Sequence, residues 1–151
     1  MTTRRSAPPV EVEEDITIDM TQARVLEPLP PDRPYLSVVS AWTPGKSGAG
    51  GRKIHYELTV QEPEEFSNRK LVEDLSLDNE YTLGRLQALL VGLGYPIEQI
   101  RQTGFKLPKE ADVLGLQCTV RVRTDPSEEY GDRSRIRSVR PASAYSAPAT
   151  F

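Results

Sequence analysis

The chain has 151 residues, 13 of them Pro and 10 Gly, which is room for one domain of ordinary size with part of the chain spent on linkers. Its single cysteine, Cys118, excludes an internal disulfide framework and any zinc site built on paired thiolates, and no stretch approaches the roughly 18 consecutive apolar residues of a membrane span, so a cytoplasmic protein is expected. The formal charge is −3, but the acidic excess is local: residues 1–30 hold Glu11, Glu13, Glu14, Asp15, Asp19 and Glu27 against Arg4, Arg5 and Arg24. Removing these six acids and three bases from totals of 22 and 19 leaves 16 of each in residues 31–151. The remainder is neutral overall, and what its bases do depends on where they stand.

In chain order, residues 1–23 combine Pro8 and Pro9 with an acidic run and few large apolar groups, too few to offset the entropy of ordering them, which predicts a flexible arm. A folded domain is expected over 24–141. Tyr35 to Trp42, rich in Val, Leu and aromatics before the Pro44-Gly45 turn, predicts a first strand. Ile54 to Val60 alternates, with Ile54, Tyr56, Leu58 and Val60 inward and His55, Glu57 and Thr59 outward, and is the second. Arg69 to Leu77 is the third. Thr82 to Leu93 carries Leu83, Leu86, Leu90 and Leu93 at helical spacing, closed by Gly94 and Pro96, with a short helical turn over Pro96 to Arg101. Leu116 to Arg123 shows the clearest period of two: Leu116, Cys118, Val120 and Val122 share one face, Gln117, Thr119, Arg121 and Arg123 the other. Arg135 to Val139 is the fifth strand, and residues 142–151 form a small, polar tail expected to be flexible, although Tyr145 and Phe151 have rings that can dock.

Five short strands with one helix between the third and fourth are mainly β, and they are the layout of the OB-fold, a partly open Greek-key barrel that binds oligonucleotides on the face of its second and third strands and in its first and last hairpin loops, so a single strand is expected across the outer face of the early strands, flanked by the Gly45–Arg52 and Thr124–Asp132 loops. The basic residues fit such a surface. Arg121, Arg123, Arg135 and Arg137 are expected to crowd one face of the pair formed by the fourth and fifth strands, where like charges are tolerated best if a polyanion, or the loop acids Asp125, Glu128, Glu129 and Asp132, neutralise them. Lys46, Arg52 and Lys53 flank a glycine-rich hairpin loop, and His55 is an outward residue beside them. Stacking of bases needs exposed rings, for which Trp42, Tyr35, Tyr130 and Phe105 are the candidates. Counting from Leu36 and Val38, Trp42 falls inward instead, unless a bulge turns it out.

Catalytic motifs are weaker. Ser40-Ala-Trp-Thr-Pro-Gly-Lys-Ser47 misses the first Gly of a phosphate-cradling loop and is followed by glycines and a strand, not by the helix whose amides would meet a phosphate. His55 has no second His or thiolate with which to build a metal or nucleophilic site. Glu64-Glu65 and Glu73-Asp74 supply carboxylates for two-metal nuclease chemistry, a third alternative. No enzyme activity, cofactor or metal is therefore expected.

Over residues 33–141 the chain resembles a phage-type OB-fold single-stranded DNA-binding family, formerly a domain of unknown function. The resemblance lies in the first strand with Tyr35, the Gly-Lys-Ser-Gly loop and alternating strand through Val60, and the helix ending Leu89-Leu-Val-Gly-Leu-Gly-Tyr95. It continues through Leu114-Gly-Leu-Gln-Cys-Thr-Val-Arg-Val122 and a Tyr130-Gly hairpin. It implies sequence-tolerant binding of single-stranded DNA in replication or recombination, in the host cytoplasm, with a recombinase or replication protein as partner and homo-oligomers open. Many single-strand-binding proteins end in an acidic tip closed by an aromatic residue; here Phe151 follows Ala-Pro-Ala-Thr without an acid, and the acidic segment lies at the other end, where it would compete with DNA for the Arg face. The rival reading is a protein-binding β-barrel, an adaptor or virion component.

Overall fold

The computed structural model describes residues 15–19, 27–46, 48, 50–126 and 132–146. Five strands, β1 (Tyr35–Lys46), β2 (Arg52–Glu62), β3 (Lys70–Ser76), β4 (Gln117–Asp125) and β5 (Arg133–Pro141), form one antiparallel sheet in the order β3-β2-β1-β4-β5. Between β3 and β4 come one long helix, α1 (Glu80–Gly92), and two short ones, α2 (Ile97–Ile100) and α3 (Glu110–Val113). The fold is thus mainly β, with the helix where the sequence pattern expects it. No described helix is long and apolar enough to cross a membrane.

The inward residues follow the alternation of β2 and β4: Ile54, Tyr56, Leu58 and Val60 meet Cys118, Val120 and Val122 in one core with Leu71, Leu75 and Ile136. Burial lifts the Cys118 thiol to about 12, so it stays protonated and inert. β1 departs from the expected phase. Its inward residues at the start are Tyr35, Ser37 and Val39, while Leu36 and Val38 are only half-buried. A bulge then intervenes, since Val39 pairs with Leu58 and Ala41 with Glu57, leaving Ser40 without an opposite residue. The extra residue inverts the alternation and returns Trp42 to the core. It also bends the strand: β4 pairs only with Tyr35–Val38, whereas β2 follows β1 to Lys46.

Asn79 caps α1, its Oδ1 accepting from the backbone N–H of Tyr81 at 2.8 Å, and the helix starts two residues earlier than its leucines suggest. At the other end Gly94 takes φ +108°, a left-handed turn that only glycine enters cheaply, and the Tyr95 N–H donates to Leu90 O at 3.0 Å. Leu86, Leu89, Leu90 and Leu93 face the core; Leu83, expected with them, is 41% exposed. The buried stripe is rotated one step from the expected one, with Leu89 in place of Leu83.

α1 ties the two sheet edges together. Arg85 donates through Nε to Glu73 Oε2 on β3 at 2.8 Å and through Nη2 to Ile136 O on β5 at 3.1 Å, and Tyr56 donates its hydroxyl to the other Glu73 oxygen. Burial, with Glu73 beside it, holds the Tyr56 phenol well above its usual range, so it remains the donor. The end of α1 approaches β5 closely at Gly92, where a Cβ would collide with Val139 Cγ1 and stand 3.3 Å from Arg140 O. Gly92→Ala is therefore expected to cost about 1–2 kcal/mol, overpacking outweighing the gain in helix propensity, measured as a lowered urea midpoint at unchanged m. An unchanged midpoint would mean the helix end shifts freely.

The residues before β1 are held as well. Leu29 is buried and its N–H donates to Ser134 Oγ at 2.8 Å, while the Tyr35 hydroxyl donates to Pro30 O at 2.5 Å.

Candidate nucleic-acid interface

β4 and β5 run antiparallel with Arg123 directly opposite Arg135. Like charges in that register repel, and the Asp125 carboxylate separates them, one oxygen 3.1 Å from Arg123 Nε and the other 3.3 Å from Arg135 Nε. Of the two neutralising routes the sequence leaves open, this half of the cluster takes the internal acid.

The other half differs. Arg121 pairs with Ser138 and Val122 with Ile136, so Arg137 is the extra residue of a bulge and has no opposite on β4. Arg121, Arg137 and Arg140 line one concavity of about 730 Å³, together with Thr119, Ser138 and Pro34. Its wall is completed by the turn at Ala142–Ala144, fixed to β4 by Thr119 Oγ1, which donates to Pro141 O at 2.9 Å. Among the described residues no carboxylate lines it and none of these three guanidiniums has an ion-pair partner. Three planar, permanently charged forks around one hollow form a site whose field favours an anion with several oxygens.

The first-hairpin bases are placed otherwise. Arg52 is engaged by Asp78, with Nη2 2.9 Å from Oδ1 and its own N–H on Oδ2 at 2.7 Å; the backbone bond first and the side-chain bond second hold the Asp78 carboxyl below its usual range. His55 Nδ1 lies 2.8 Å from Asp74 Oδ1, and Lys53 Nζ is 4.0 Å from the same oxygen. Lys46 is exposed at the end of β1. On the neighbouring outer face Glu57 accepts from Ser40 Oγ at 2.7 Å and Lys70 Nζ at 3.1 Å, which lower its carboxyl in that order. The outer face of β2 and β3 thus carries acids among its bases.

The expected stacking role of Trp42 is corrected. Trp42 is 1% exposed, its ring 6.2 Å from that of Tyr56 and its Nε1 donating to Pro108 O at 2.9 Å, so it pins the α2–α3 connection to the sheet and presents no open ring face for a base. Tyr35 is corrected likewise: it is fully buried, and burial raises its phenol to about 12. Phe105 is half-buried against the core. Tyr130, Glu128, Glu129 and Phe151 lie outside the described residues, as does all of the acidic segment before Asp15.

Sequence reasoning missed Arg140 and Tyr81. Arg140 lies one residue beyond the expected fifth strand; the strand pattern extended through Pro141 would have found it. Tyr81, 84% exposed, lies in the first turn of α1, before the leucines that mark the helix. No protein-family model matches the chain, and no curated protein matches it.

Proposed function

We propose that this chain is a non-enzymatic, OB-type module that binds single-stranded DNA with little sequence preference, in phage-type replication or recombination. The observation that carries the reading is the concavity bearing Arg121, Arg137 and Arg140, lined by no carboxylate among the described residues, which suits successive phosphates of one strand. Arg123 and Arg135 lie farther along the same strands, with Asp125 between them, and extend the track as weaker contacts. The outer face of β2 and β3, expected to carry the strand, is the poorer choice, because Glu57, Asp74 and Asp78 would repel phosphates there. The reading carries with it a cytoplasmic setting and a recombinase or replication enzyme as working partner.

The test is a titration of labelled oligo-dT and of a duplex of the same length at two salt concentrations. Binding confined to the single strand, with log affinity falling by about 0.7 per phosphate contact for each tenfold rise in salt, is the expected result. Affinity independent of salt would sink the proposal. A second reading, a protein-binding adaptor or virion component, is favoured by the exposed Leu83 and Ile97, 41% and 42% accessible. Failure of both polymers to bind would favour it.

A further inference from the structure

A second hollow, of about 650 Å³, lies between α1 and β5 and meets the arginine concavity along a shared rim: Arg137, Ser138 and Arg140 line both. Its walls are otherwise largely apolar, with Tyr81, Gly84, Ala88 and Val91 from α1, Ile97 from α2 and Val139 from β5; the one carboxylate that lines it among the described residues, Glu73, is neutralised by Arg85. Tyr81 is 84% exposed on a helix start held by two anchors, the Asn79 cap and the Thr82 hydroxyl donating to Ser76 O at 2.5 Å. An exposed ring on a helix start fixed by two anchors, beside an apolar trough and two guanidiniums, suits a flat, partly apolar group attached to an anion. Gly84 leaves the trough open, since a Cβ built on it meets nothing within 4 Å.

Resting on the single-strand reading above, we infer that the α1–β5 trough receives the bases of the strand whose phosphates lie on Arg137 and Arg140, with Tyr81 as the ring on which a base stacks. The polar rim takes the backbone and the apolar floor the base faces, which is the division of labour of a sequence-tolerant single-strand site. A duplex keeps its base faces inside its own stack and cannot fill the trough, so this hollow is what discriminates single strands from duplex. The phosphate contacts alone would not.

The experiment compares oligo-dT with an abasic strand of equal length, by fluorescence anisotropy, on the full chain and its variants. Tyr81→Ala is expected to weaken oligo-dT binding roughly tenfold, within the range one stacked base supplies, while leaving the abasic strand unaffected and Tyr81→Phe close to wild type. Gly84→Leu fills the trough from an exposed helical position and is expected to reproduce the loss without lowering thermal stability. If Tyr81→Ala and Gly84→Leu leave oligo-dT binding unchanged while Arg137→Ala with Arg140→Ala weakens both strands, the trough inference is overturned and the phosphate site stands. If the arginine variants also change nothing, the single-strand reading itself falls. Equal affinity of wild type for oligo-dT and the abasic strand overturns the trough inference as well.

Discussion

Replacing Arg121, Arg137 and Arg140 together with alanine is expected to lower affinity for oligo-dT by roughly a hundredfold at low salt, at about 1 kcal/mol for each solvent-exposed contact to phosphate removed. The slope of log affinity against log salt should become shallower by about 2, because three phosphate contacts release about 0.7 of a counterion each. All three side chains are exposed at the sheet surface and lack ion-pair partners among the described residues, so the variant is expected to keep its thermal midpoint. The control is Arg52→Ala. That guanidinium is already occupied by Asp78, and its removal should change affinity by less than twofold to threefold, the scale of a screened surface pair. A triple variant that binds like wild type, or one that loses affinity with its slope intact, would show that the concavity does not hold phosphates.

The largest expected effect on stability is at Trp42. Trp42→Ala removes the bulkiest fully buried side chain and leaves Pro108 O without its indole donor, so a loss of about 3–5 kcal/mol is expected, a large share of what a domain of this size possesses. Denaturant unfolding measures it directly. A loss under about 1 kcal/mol would be inconsistent with the burial described. Since the ring is shielded, saturating oligo-dT should leave the tryptophan emission of the wild type largely unchanged, which separates a structural from a ligand-facing Trp42 in a single titration.

The strands of this protein were legible because β2 and β4 alternate apolar and polar residues without interruption, and a period of two has one physical meaning on a pleated sheet. The loop-side extensions, Thr43–Lys46 on β1 and Arg133–Ser134 on β5, were not, because polar edge residues carry no periodic signal even when their backbones pair. α3 escaped because four residues show no helical spacing and its N-cap is Lys109, not a residue type that marks a helix start, whereas Gly94 and Pro96 flag the equally short α2. Trp42 is the instructive position. Counting from Leu36 and Val38 places it inward, yet Tyr35, Ser37 and Val39 are the inward residues, and only the bulge at Ser40 brings Trp42 back to that side. Two departures cancelled.

The candidate site divides in the same way. That arginines gather on β4 and β5 follows from alternation and adjacency, both written in the chain. Which of them are available does not. Arg123 and Arg135 are claimed by Asp125 because direct opposition in an antiparallel register leaves room for one carboxylate between them, whereas the bulge that displaces Arg137 by one residue takes it out of reach of such a partner. Arg140 and Tyr81 join the site only through the packing of α1 against β5 and of the Ala142–Ala144 turn against β4. Residue order alone thus determined the number of strands, the place of the long helix, the buried thiol and the basic character of β4 and β5, since each depends on local periodicity or side-chain type. Register, bulges and helix docking decided which charges are free and which ring is exposed, because those depend on distances between residues far apart in the chain, and local pattern does not encode them.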